Sequence, residues 1–205
     1  MPKKRPEPGS RLVHSRLMIV CEGARNKSES AYFKALIKDK RNPDNRIEVK
    51  VVDTRKNTGR ELVREAKRLR ETPRDEVWVV YDKDGYTLHP QTFDEARASN
   101  VRIAFSSISF EYWIVLHFGY TTRPFADSAE VIHYLETTHG YRYGKGDPLT
   151  YARTKAFIAD AKMRASQCRD YQRKSNPSDT PVYAMNPWTD VDELVERIER
   201  FALEG

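Results

Sequence analysis

The sequence predicts an α/β fold of about four parallel strands flanked by helices, followed by a mostly helical C-terminal extension. Three observations predict it. Leu17-Met18-Ile19-Val20-Cys21 and Val77-Trp78-Val79-Val80-Tyr81 are strand-length apolar runs without polar alternation, as in strands buried on both faces. Segments with a helical apolar period separate the strand-like runs, giving strand–helix alternation as far as Phe105. Beyond that point helical periods take over. A chain of 205 residues is long enough for one such domain with helical additions.

Residues 1–15 carry Pro2, Pro6, Pro8 and Gly9 among charges and read as a basic flexible tail. A single domain is expected over 16–205, its α/β core at about 16–120 and its helical extension at about 121–205. The first strand covers 16–21. A helix starts at Ser28, which is suited to cap it, with Tyr32, Phe33, Leu36 and Ile37 as its apolar face. Arg41-Asn42-Pro43-Asp44-Asn45 is a turn cluster. Ile47, Val49 and Val51 alternate with polar residues, which predicts a less buried second strand. Thr58 is placed to cap a second helix carrying Leu62, Ala66 and Leu69. Asp75–Tyr81 is the third strand, 92–99 a short helix and 101–105 the fourth strand. In the extension, Glu111–Phe118 and Ala129–Thr137 are helical. The longest helix runs from Tyr151 to about Arg173 and stops before Asn176-Pro177. Phe157, Ile158, Ala161, Ala165 and Cys168 form its apolar face. Thr189 is expected to cap the last helix, with Leu194, Val195, Ile198 and Phe201 facing inward. There is no internal repeat.

The net charge of +6 is unevenly distributed. Residues 1–16 carry a balance of +4, residues 150–174 a balance of +5 and residues 189–205 a balance of −4. Segregation of this kind points to an anionic partner such as nucleic acid. Two cysteines, Cys21 and Cys168, make neither a disulfide framework nor a zinc spacing, and Cys21 is expected as a buried free thiol. The basic start lacks the apolar run of a signal peptide, and no apolar run approaches membrane-spanning length. A reducing, cytoplasmic setting away from membranes is therefore expected. The five histidines have no zinc-like arrangement, and His117 is expected as a hydrogen-bonded core residue. Nucleophile-elbow and P-loop motifs are absent.

Acids punctuate the strand ends. Glu22-Gly23 follows the first strand, and Asp82-Lys83-Asp84-Gly85 follows the third. In open parallel sheets, sites form outside the carboxyl ends of the strands. Asp82 and Asp84 point the same way along an extended segment, with Lys83 opposite. Two parallel carboxylates repel unless a cation bridges them, and several converging carboxylates suit a hard divalent ion such as Mg²⁺ or Mn²⁺. The alternative is a polar turn in which Gly85 supplies a positive φ. Glu111 heads an apolar stretch, where either an arginine partner or a metal would compensate its burial. Glu29 sits in the first turn of a helix, where it either serves the helix dipole or adds a ligand. Arg25, Lys27, Lys56 and Arg60 surround these acids in sequence, Thr58 opens a helix N-terminus able to take a phosphate, and Lys83 can neutralise one. Lys155, Lys162, Arg169 and Arg173 fall on one narrow helical arc suited to phosphate steering.

Cys21-Glu22-Gly23, Ser28-Glu29 before Tyr32-Phe33, Trp78-Val79-Val80-Tyr81-Asp82-Lys83-Asp84 and Phe110-Glu111-Tyr112-Trp113 through Leu116-His117-Phe118 resemble the RloB family. So do Tyr143-Gly144-Lys145-Gly146 and Asn186-Pro187-Trp188-Thr189. The resemblance implies a Toprim-like core, the metal-binding fold of topoisomerases, primases and OLD-type nucleases. It also implies a bacterial phage-defence or restriction-associated setting with a partner ATPase. Glu22, Asp82 and Asp84 match the Toprim acids, and Glu29 and Glu111 stand as equivalents of the further acids of OLD-type nucleases. The expected function is a Mg²⁺- or Mn²⁺-dependent nuclease acting on DNA or RNA, including tRNA. Its catalytic acids would be Glu22, Asp82, Asp84 and Glu111. The alternative is a non-catalytic subunit of an ATPase complex that binds nucleic acid or a nucleotide. A homo-oligomer is compatible with either.

Overall fold

The computed structural model describes residues 16–22, 27–40, 48–54, 58–83 and 87–203, with only the backbone described at 48–50 and 53–54. The expected tail and the 41–45 turn cluster lie outside the described residues. The order of elements is β1 (Arg16–Glu22), α1 (Ser28–Lys40), β2 (Glu48–Thr54), α2 (Gly59–Leu69), β3 (Glu76–Asp82), α3 (His89–Ala98), β4 (Arg102–Ser107) and α4 (Glu111–Phe118). There follow α5 (Ser128–His139), α6 (Thr150–Thr154), α7 (Ile158–Ser175), β5 (Trp188–Thr189) and α8 (Val191–Phe201).

The strands form one sheet in the order β2-β1-β3-β4-β5. The first four are parallel, and β5 runs antiparallel to β4. The four parallel strands match the sequence expectation. Sequence periodicity did not reveal β5, because two residues carry no readable period. It exists through tertiary bonds: Thr189 pairs with Ser106, their hydroxyls lie 3.2 Å apart, and the Asp190 N–H donates to Phe105 O at 2.9 Å.

Strand alternation divides the core in two. Leu17, Ile19, Cys21, Trp78 and Val80 face α1 and the C-terminal helices. Met18, Val20, Val77, Val79 and Tyr81 face α2 and α3. Seven of the eight residues of α4 are buried, so this helix is apolar all round and lies inside the molecule against α5 and α7. His117 is the hydrogen-bonded core residue expected, with Nδ1 2.9 Å from Trp113 O and Nε2 3.4 Å from Tyr32 Oη. Burial lowers its pKa to about 4, which keeps the ring neutral.

The predicted 151–173 helix is instead α6 and α7 joined by a 3₁₀ turn at Lys155–Phe157. A 3₁₀ turn advances each residue further around the axis than an α-turn does. Phe157 accordingly leaves the buried face, is 42% exposed and leans on Phe118, with ring centroids 5.9 Å apart. Ile158, Ala161, Ala165 and Cys168 are buried as predicted. Cys21 and Cys168 are both buried free thiols. The N-cap of α8 is Asp190 and not Thr189 as expected, because pairing with β4 draws Thr189 into β5; the Thr189 hydroxyl accepts from Val191 N at 3.3 Å.

One close approach bears on the edge of β3. A Cβ on Gly59 would lie 2.8 Å from the Tyr81 ring and 3.0 Å from Thr92 Cγ2. Gly59→Ala should destabilise the fold by about 1–3 kcal/mol, the usual cost of overpacking, and should displace Tyr81, the neighbour of Asp82. Urea unfolding of this variant measures the cost.

Candidate functional site

The chain reverses direction across the sheet between β1 and β3: β2 lies on one side of β1, and β3 and β4 lie on the other. At such a switch point the strand ends leave a crevice. Cys21 is level with Val80, so Glu22 and Asp82, the last residues of neighbouring strands, reach the same rim. Two helices bring further acids there. α1 carries Glu29 in its first turn, and α4 begins at Glu111 directly after the loop from β4.

The charges of Glu29, Glu111 and Glu22 all bear on Asp82. The Asp82 carboxyl is pushed well above its ordinary range by burial first, then by the charges of Glu29, Glu111 and Glu22, against the opposing Phe110 backbone amide. Glu29 is pushed up to about 7, chiefly by burial, with Glu111 and Glu22 adding to it and its own amide and Lys27 opposing. Asp82 is half-buried as a residue, but its Oδ1 is sealed from solvent and, among the described residues, has no hydrogen-bond donor. Lys27 Nζ donates to Glu22 Oε1 at 3.1 Å. Burial works against the Lys27 charge, but the bond to Glu22 and the charges of Glu22, Glu29 and Asp82 leave its pKa raised.

Glu111 is 2% exposed, and Tyr143 Oη donates to its Oε1 at 3.1 Å. Among the described residues its partner is this hydroxyl and not an arginine. Burial and the Glu111 charge raise the Tyr143 pKa, so the phenol keeps its proton and acts as donor.

Among the described residues, no three His, Cys, Asp or Glu side chains form a ready-made metal cluster. Asp84, the second acid of the D-x-D, lies outside them. The donors that are present nevertheless fit a hard divalent cation. They are all carboxylates, the proton affinities of Asp82 and Glu29 are raised by their acidic neighbours as well as by burial, and among the described residues Asp82 Oδ1 has no donor.

A carboxyl whose folded-state value exceeds the unfolded one contributes stability below the unfolded value and loses it as pH climbs through the folded value. For Glu29 that window runs from 4.5 to about 7. In a metal chelator, Glu29→Gln should therefore gain melting temperature over wild type progressively across this window. A difference that stays flat with pH would contradict the placement of Glu29 among the acids.

The predicted phosphate-binding residues are distributed differently. Arg25 and Lys56 lie outside the described residues. Thr58 is the N-cap of α2: its Oγ1 accepts from Glu61 N at 3.3 Å and donates to Glu61 Oε2 at 2.9 Å, so these two residues close that helix start themselves. Arg60 pairs with Glu95 at 2.8 Å. Lys83 follows β3, its amide bonded to Ser106 O at 2.9 Å. Lys155 pairs with Asp39 at 2.8 Å and Lys162 with Glu199 at 3.1 Å, along a groove of about 450 Å³. Arg173 lies over the Trp188 ring, 5.4 Å from its centroid. Arg169 does not join this surface. It is buried, bonded through both terminal nitrogens to Asp192 and through Nη1 to Thr189 O at 2.7 Å. The acid from α8 draws it inward, which a helical wheel of α7 alone could not show.

The RloB-like protein family model matches residues 17–198, from β1 into α8. The chain belongs to the RloB-like family. No curated protein and no solved structure is significantly similar to it. The RloB-like span takes in Glu22, Glu29, Asp82, Asp84 and Glu111 together with the two late motifs. Those motifs have visible roles here. Tyr143 holds Glu111, Gly146 N donates to Ser28 Oγ at 3.0 Å, and the Asn186 side chain bonds both backbone groups of Phe125. Ser28, expected as a cap, is instead the first residue of α1 and the acceptor of that distant amide. The role of Tyr143 was missed from sequence, and its only signal was its place in a family motif. Among the described residues, no helix of this RloB-like chain is long and apolar enough to cross a membrane.

Proposed function

We propose that this RloB-like chain is a Mg²⁺- or Mn²⁺-dependent nuclease with a Toprim-like core, hydrolysing phosphodiester bonds of DNA or RNA, tRNA included. The observation that carries the reading is that the charges of Glu22, Glu29 and Glu111 all bear on Asp82 at the switch point, with Asp82 Oδ1 sealed and, among the described residues, without a donor. Acids gathered in this way repel one another, and a bound divalent cation relieves the repulsion. Glu22, Asp82 and Asp84 would hold the cation, with Glu29 and Glu111 flanking it. Bound there, it supplies Lewis-acid polarisation of a phosphoryl oxygen and acidifies water. The Glu22 oxygen not turned to the cation, half-buried at the rim, would take the proton of the attacking water while the P–O bond to the leaving oxygen breaks and that oxygen leaves with the departing strand end. Lys27, released from Glu22, offers its ammonium to the non-bridging phosphate oxygens. Lys155 and Lys162 would exchange their pairings with Asp39 and Glu199 for the phosphate backbone, which they would steer without reading bases.

Family membership supports placing the protein in a cytoplasmic bacterial anti-phage or restriction-associated system with an ATPase partner. The test is cleavage of labelled DNA and tRNA with Mg²⁺ or Mn²⁺, with and without an ATPase encoded beside it. Wild type should cut, whereas Glu22→Ala and Asp82→Ala should not. Equal cleavage by all three proteins would refute the assignment. The Lys27–Glu22 ion pair favours one alternative, a subunit that binds nucleic acid or a nucleotide without cutting. Mn²⁺ binding lost on Asp84→Ala, with no turnover under any of these conditions, would identify it.

A further inference from the structure

We propose that the 143–146 loop is a positioning device for the acidic cluster: Tyr143 fixes Glu111 and the Gly146 amide fixes Ser28 beside Glu29, so that the helical C-terminal region completes the site. This rests on reading the acids as a cation site.

One short loop reaches two acid-bearing helices. Tyr143 Oη donates to Glu111 Oε1 at 3.1 Å, at the first residue of α4. Three residues on, Gly146 N donates to Ser28 Oγ at 3.0 Å, at the first residue of α1 and next to Glu29. Gly146 has φ +76°, a left-handed conformation that glycine adopts without a Cβ penalty. The loop is anchored on both sides. Tyr143 N donates to Glu136 Oε1 of α5 at 3.2 Å. At the other side Asp147 N donates to Gly144 O at 3.0 Å, and the Asp147 carboxylate accepts from Leu149 N and pairs with Arg153 of α6 at 2.8 and 2.7 Å.

The chemistry suits orientation of a ligand. Tyr143 is 8% exposed, and its ring already belongs to the core without needing its hydroxyl. Of the two carboxylate oxygens the hydroxyl engages Oε1, which sets the rotation of the Glu111 carboxylate about its last bond, and the same hydroxyl also meets the Ser28 side chain. Repelling carboxylates left unsupported would swing apart, and gathering them again would cost binding energy. Partners that orient metal ligands typically contribute about 10–100-fold in metal affinity.

The experiment is Mn²⁺ binding to the full chain, followed by calorimetry and by the electron paramagnetic resonance signal of free Mn²⁺. Wild type, Asp82→Asn, Tyr143→Phe and Ser28→Ala are compared. We expect Tyr143→Phe to bind Mn²⁺ about tenfold or more weakly, with Ser28→Ala changed in the same direction. A tyrosine serving only the core would alter the melting temperature and leave Mn²⁺ affinity unchanged. Wild-type binding that is lost in Asp82→Asn but fully kept in Tyr143→Phe overturns the positioning role while the cation reading stands. Should Tyr143→Phe fail to fold, full Mn²⁺ affinity in Ser28→Ala has the same force. A wild type that binds no Mn²⁺ removes the cation reading, and this inference with it.

Discussion

Asp82→Asn is expected to remove divalent-cation-dependent cleavage while leaving the metal-free protein folded and at least as stable as wild type. Asp82 ends β3 at the switch point, and the charges of Glu29, Glu111 and Glu22 all bear on it. An amide keeps the shape but withdraws the charge that would anchor the cation. Losing several kcal/mol of transition-state stabilisation at such a centre corresponds to about 10³-fold or more in rate. The stability effect has the opposite sign. Burial raises the Asp82 pKa, so above its unfolded value the ionised group weighs against the folded state. Its neutral replacement should melt higher than wild type at pH 8 in chelator. An Asp82→Asn protein that cuts at the wild-type rate, or that melts lower in chelator, would contradict this account of the residue.

Arg169→Ala should be among the most destabilising single changes in the chain, at about 3–5 kcal/mol, because it leaves a buried carboxylate without its partner. Arg169 is 8% exposed and Asp192 6% exposed, and the pair ties α7 to α8. Its bond to Thr189 O also anchors β5 against β4, the strand that leads to Glu111. Replacing both members, as in Arg169→Met with Asp192→Leu, should recover most of the loss, because no charge is then stranded. Urea unfolding of the single and double variants measures both values. A single-variant cost below about 1 kcal/mol, typical of exposed ion pairs, would show that the pair is solvated.

Much of this architecture was legible in the sequence wherever a period or a run was long enough. The β1 and β3 runs, the α2 cap at Thr58 and the buried Glu111 all appear where their neighbours predict them. The rim location of Glu22 and Asp82 followed from the parallel alternation alone, since carboxyl ends of parallel strands share an edge. What was not legible depends on partners distant in the chain. The Tyr143–Glu111 bond spans 32 positions and the Gly146–Ser28 bond 118, beyond any local pattern. Arg169 looked like a surface base because its helical arc was basic, and Asp192 on another helix, with Thr189 O, turns it inward. Phe157 fitted the α7 period, but a 3₁₀ turn shifts it outward.

Anomalous diffraction from a crystal soaked in Mn²⁺ tests the gathering of these acids around a cation most directly. One strong Mn²⁺ peak coordinated by Glu22, Asp82 and Asp84 is expected, with Lys27 Nζ moved from its position 3.1 Å from Glu22 Oε1. Saturating Mn²⁺ that produces no peak at this rim, with Lys27 still bonded to Glu22, would contradict it.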